Sequence, residues 1–139
     1  MYVDLWNGIH SSICSIDCMQ GNKRVDWGSG FKAGDKLITN YHVIKNMNAT
    51  HVVIKFVGAD GNKVTASKQF EYPAFMNCHI DLQPNNGGWD HIIFDLDFDG
   101  FDKIPSLKIR EKDDVPIGTS IVVFGFPFIL LPAKTKRLD

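Results

Sequence analysis

Through most of the chain before Asp99, hydrophobic and polar positions alternate with a period of two, which predicts strands rather than helices. In "HSSICSIDCM" (10–19), Ile13, Ser15 and Asp17 oppose Ser12, Cys14, Ile16 and Cys18, and "QGN" then breaks the run. "DWGSGFKAGDKLITN" (26–40) reads as two strands around the turn Ala33-Gly34-Asp35. "THVVIKFVG" (50–58), rich in β-branched residues, runs into the hairpin signal Asp60-Gly61, and "KVTASKQFEY" (63–72) returns from it until Pro73 stops it. After a polar loop at 81–88, "WDHIIFDLDF" (89–98) places Asp90, Ile92, Phe94, Leu96 and Phe98 on one face and His91, Asp95 and Asp97 on the other. The one helical turn expected follows His42, in "VIKNM". About six short strands with Gly- and Asn-rich turns predict an all-β, antiparallel barrel, with no internal repeat and no low-complexity segment.

Beyond the barrel the pattern changes. Residues 99–118 are charged, turn-rich and punctuated by Pro105 and Pro116, as expected of a connector over the surface. "TSIVVFGFP" (119–127) reads as a further strand with no hairpin partner. The pattern divides the chain into a barrel over 1–98, a connector over 99–118, and a last strand with its tail over 119–139.

Composition bounds the function. A chain of 139 residues with 44% hydrophobic and 12% aromatic residues can fill one core. A net charge of −1 gives no electrostatic footprint for nucleic acid or an anionic membrane. The clustered cations Lys134, Lys136 and Arg137 read as a solvated tail. The N-terminal residues lack the pattern of a secretory signal, and the apolar run 121–131 is shorter than the ~20 residues of a membrane span. A cytoplasmic, soluble protein is the expectation.

Cys14, Cys18 and Cys78 are an odd number of cysteines, which fits reduced thiols. Cys14, Cys18 and His10 invite a zinc site, but no second ligand pair follows, and strand spacing of buried cysteines accounts for them. "DLDFDG" (95–100) opens like a calcium loop, yet the twelfth position is Ser106 where a bidentate Glu belongs. Neither metal nor cofactor is expected.

Four elements in order carry a resemblance: G-S-G-F (28–31), L-I-T-N-x-H-V (37–43), D-H-I-I-F-D-L (90–96) and G-T-S-I-V-V-F-G-F-P (118–127). Together they resemble the first half of trypsin-like serine peptidases of the chymotrypsin fold, especially the bacterial degradation-type enzymes, over roughly residues 8–130. The T-N-x-H-V element is the most specific of the four. The resemblance implies a six-stranded first barrel over 1–98, the first strand of an incomplete second barrel with its tail over 119–139, an active site between two barrels, His42 as general base and Asp90 as the carboxylate that orients it. The residue types suit that chemistry, since a neutral imidazole can take a hydroxyl proton and a carboxylate can stabilise the imidazolium formed. Asp81 is the competing acid. His91 is expected on the face opposite Asp90, and His10, His51 and His79 read as ordinary surface or strand histidines.

The family places its nucleophile in a G-[DN]-S-G-G-type loop on the second barrel, together with the oxyanion hole. These 139 residues contain no such loop and no G-x-C-G counterpart. Ser29, within Gly28-Ser29-Gly30, belongs to the first barrel and reads as a structural strand serine. Two functions are therefore expected. One is the N-terminal part of a trypsin-like endopeptidase, inactive alone, with a polypeptide substrate in the complete enzyme. The other is a non-enzymatic interaction module on the same fold, with self-association through residues 119–131.

Overall fold

The computed structural model describes residues 2–45, 48–58, 63–82, 90–109, 115–121 and 123–125, with the side chains of 2, 3, 81 and 82 left aside. Seven strands, β1 (Ile13–Gln20), β2 (Lys23–Ala33), β3 (Lys36–Asn40), β4 (His51–Val57), β5 (Val64–Glu71), β6 (His79–Leu82) and β7 (His91–Phe94), form one antiparallel sheet in the order β5-β4-β1-β2-β3-β7-β6. The sheet curls into a half-barrel, so the chain is mostly β as its alternation predicts. Three short helices accompany it: α1 (Tyr2–Ile9), α2 (Tyr41–Ile44) and α3 (Tyr72–Met76).

Alternation places one row of each strand inside the curl. Cys14, Ile16 and Cys18 of β1 share the core with Leu37 of β3, Val52, Ile54 and Phe56 of β4, and Ile92 and Phe94 of β7. The β1–β2 register sets Cys14 opposite Gly30 and Ile16 opposite Gly28, so both glycines also face inward. A Cβ on Gly30 would stand 2.9 Å from Ile16 Cδ1, which explains why the inner row of β2 is bare here.

An aromatic chain spans the interior between well-separated strands of the order. Phe70 of β5 contacts Phe75 of α3 with centroids 5.5 Å apart, and Phe75 stacks on Phe94 of β7 at 4.1 Å. Pro73 accounts for the placement of α3. It cannot extend the β5 ladder, yet its fixed φ suits the first turn of a helix, so the residue that stops the strand also starts the turn carrying Phe75.

Several expectations need correction. The described residues form seven strands rather than six, because the tetrad His79–Leu82 pairs with β7 although it is too short to show a period. Ladder pairing in the segment 89–98 is confined to His91–Phe94, although alternate burial continues through Leu96 and Phe98 while Asp95, Asp97 and Asp99 face solvent. The helix α1 was not expected, and α2 starts at Tyr41 so that it includes His42. The described residues of 119–125 form no strand, because an extended segment needs a neighbour to satisfy its backbone; Ile121 and Val123 are 77% and 87% exposed. The Asp60-Gly61 turn, Trp89, positions 83–88 of the polar loop and the tail from 126 onward lie outside the described residues. No helix among the described residues is long and apolar enough to cross a membrane.

The segment expected as a surface connector begins inside the core. Phe101 and Ile104 are buried around a 3₁₀ turn, Phe101–Lys103. That turn is fastened by a buried cation: Lys32 of β2 donates to the carbonyls of Phe101 at 2.7 Å and Ile104 at 2.9 Å, and its ammonium sits 4.6 Å from the Phe101 ring centre. Replacing Lys32 with Met keeps the apolar stem and strands two buried carbonyls. Lys32→Met is expected to lower the unfolding free energy by about 1.5–3 kcal/mol in a urea titration; an unchanged midpoint would show that the ammonium does not fasten the turn.

Candidate functional site

The chain leaves β3 at Asn40 and at once makes α2, a single turn of four residues. So short a helix has orphan N–H groups at one end and orphan carbonyls at the other. Asn40 makes no side-chain cap. Asp90, at the head of β7, supplies the cap instead, because β3 and β7 pair with Asn40 opposite His91 and so bring Asp90 beside the start of α2. Its backbone carbonyl accepts the Tyr41 N–H, and its Oδ1 accepts the His42 N–H at 3.1 Å.

The other end of α2 is satisfied from β1 and from the start of α3. The Cys18 thiol of β1 donates to the Val43 carbonyl at 3.4 Å, and the Tyr72 hydroxyl donates to the Ile44 carbonyl at 2.6 Å. Val43 and Ile44 are buried. A Cβ on Gly28 would lie 2.5 Å from Val43 Cγ2, so the glycine of β2 is what lets the turn pack this closely on the sheet.

With the turn seated, the second carboxylate oxygen of Asp90 meets the His42 ring: Nδ1 and Oδ2 are hydrogen-bonded across 48 positions of sequence. The bond from the His42 ring, reinforced by the His42 backbone N–H, holds the Asp90 carboxyl below its ordinary value of 3.8. An ionised carboxylate can only accept, so Nδ1 carries a proton, and in the neutral ring Nε2 is left with a lone pair. The His42 side chain is 63% exposed and that of Asp90 41%. The arrangement is an oriented base open to solvent.

The other candidates sit elsewhere. Asp81 pairs with Ile93 in the middle of the β6–β7 ladder, and its side chain is outside the described set; the carboxylate on His42 is that of Asp90. His91 lies on the outer face with Asn40, where both line a groove of about 470 Å³ floored by Ile13, Phe31 and Ile38. Ser29 lines the same groove as a strand residue: its carbonyl accepts the Thr39 hydroxyl at 2.7 Å, and a Cβ on Gly125 would stand 2.8 Å from its Oγ. His51 Nδ1 lies 3.0 Å from the Thr50 hydroxyl, and His79 Nδ1 donates to the Met76 carbonyl at 2.7 Å.

Cys14 and Cys18 are buried thiols whose pKa values burial raises, that of Cys18 to about 12, so neither is a thiolate at neutral pH. Among the described residues no group of three His, Cys, Asp or Glu side chains is placed to hold a metal ion. Sequence reasoning missed Tyr72, and weighed Cys18 as a zinc ligand and as a buried strand residue but not as a partner of α2. Their contacts with α2 span 28 and 25 positions and leave no local pattern.

Comparison of the chain with protein families, with curated proteins and with solved structures finds no match in any of the three.

Because the Asp90 pKa is lower folded than unfolded, its contribution to stability is present above the ordinary carboxylate value and is lost as pH falls through the folded value. The melting temperature of the native chain should exceed that of Asp90→Asn by its full margin above the ordinary carboxylate pKa, and that margin should shrink as pH falls through the lowered folded value. Thermal melts across that range check this, and a margin independent of pH would contradict it.

Proposed function

We propose that this chain is the His- and Asp-bearing part of a trypsin-like serine endopeptidase of the chymotrypsin fold, with His42 as general base and Asp90 as its orienting carboxylate. Residues 1–98 are the first barrel in this reading, 99–118 the link, and 119–139 the opening of a second barrel. The observation that carries it is the His42 Nδ1–Asp90 carboxylate bond within the T-N-x-H-V context, which leaves Nε2 free.

In the complete enzyme a hydroxyl from outside these residues hydrogen-bonds to Nε2. Nε2 takes its proton as the oxygen attacks the peptide carbonyl, Asp90 stabilises the imidazolium, and the proton then passes to the leaving amine. Nucleophile and oxyanion donors are missing from the sequence, and losing a triad member alone costs on the order of 10⁴–10⁶ in kcat. The isolated chain is therefore inactive. The coding frame beyond Asp139 and a casein-hydrolysis assay test the reading. A G-x-S-G-G loop within about 100 further codons, and hydrolysis by the product of that frame that His42→Ala abolishes, are expected. Hydrolysis by the 139-residue chain alone, or a frame with no such loop and no activity, would contradict it.

A second reading, a non-enzymatic interaction module, is favoured by the apolar surface. Ile109, Ile117, Ile121 and Val123 are exposed, and Phe124 lines the outer-face groove. Apolar side chains exposed in this way invite contact with another polypeptide or a second copy. Sedimentation velocity of the isolated chain should show concentration-dependent self-association that the double substitution Ile121→Asp, Val123→Asp reduces at least several-fold. A monomer at all concentrations would exclude this surface as a self-contact.

A further inference from the structure

The orientation of a one-turn helix is set by whatever its terminal carbonyls meet, because the turn has too few bonds of its own to be stable. The last carbonyl of α2, that of Ile44, accepts the Tyr72 hydroxyl. Tyr72 lies just past β5, an outer strand of the sheet order, where it opens α3. Its own N–H is bound to the Thr50 carbonyl at 3.0 Å, and its ring packs against the core, so both ends of the residue are fixed. Burial raises the phenol pKa above its ordinary 10, and the group remains an O–H donor throughout the neutral range. The neighbouring Cys18 bond, at 3.4 Å from a weakly donating thiol, is the lesser restraint on this end of the turn.

We infer that Tyr72 is a positioning residue for the His42 imidazole: through the Ile44 carbonyl its hydroxyl holds α2 in the one orientation in which the ring reaches the Asp90 carboxylate. The inference deepens, and rests on, the reading of His42 as an oriented general base. It assigns the far edge of the sheet a part in the site. His42 stands only two positions before Ile44, so a rotation of the turn released at Ile44 is felt directly at the ring. Asp90 alone cannot prevent it, since all of its bonds lie at the opposite end of the turn.

Tyr72→Phe removes one oxygen and keeps the ring in the core. The readout is the low-field proton NMR signal of His42 Nδ1–H, whose rate of exchange with water reports how firmly the Asp90 bond is held. Lys32→Met serves as the comparator, a destabilising change on β2 four residues beyond Gly28 that does not touch α2. Tyr72→Phe is expected to speed that exchange roughly five- to tenfold, the loss of one hydrogen bond, while Lys32→Met leaves it within about twofold. No acceleration in Tyr72→Phe, or equal acceleration in both variants, overturns the role of Tyr72 and leaves the His42–Asp90 pair standing. Absence of the signal from the native chain at low temperature overturns the pair itself, and the role of Tyr72 with it.

Discussion

A single helical turn cannot hold itself, and the account of this protein rests on what holds α2. Its first two N–H groups end on Asp90 and its last two carbonyls on Cys18 and Tyr72. Four separate strands or their ends, β1, β5, β7 and, through Gly28, β2, thus converge on four residues. The same Asp90 carboxylate that caps the turn also accepts the hydrogen bond of the His42 Nδ1–H. Capping and orientation are one arrangement, so the base is directed by the fold itself.

The curl of the sheet makes that convergence possible. β5 and β7 are far apart in the order of hydrogen-bonded strands, yet Phe70 and Phe94 both pack on Phe75. Burying three phenyl rings together draws those strands toward one another and brings Tyr72, three residues before Phe75, within reach of α2. Hydrophobic closure and polar positioning are linked through α3, which Pro73 starts.

Much of the sheet was legible in the sequence because alternation of period two is a local signal, and all six strands expected before Asp99 appear close to where it put them, the last of them shortened to His91–Phe94. The failures are equally physical. β6 has too few residues to show a period, and Pro73 was read only as a stop. The segment 119–125 has strand composition, but among the described residues no partner backbone pairs with it, and composition cannot supply one. Phe101 and Ile104 were hidden within a charged stretch because their burial depends on Lys32, some 70 positions earlier. At the site, His42 and Asp90 were legible through a motif resemblance, whereas Tyr72 and Cys18 were not, since a hydroxyl or thiol donating to a distant carbonyl leaves no mark on its neighbours.

The central claim is that Asp90 holds His42 with its proton on Nδ1 and a lone pair on Nε2. Long-range ¹H–¹⁵N correlation of the native chain above neutral pH distinguishes the two tautomers directly, because the protonated and bare ring nitrogens have widely separated shifts. The account predicts a proton on Nδ1 and a bare Nε2, with the preference lost in Asp90→Ala. A neutral ring protonated on Nε2, or one averaging freely between both forms in the native chain, would contradict it.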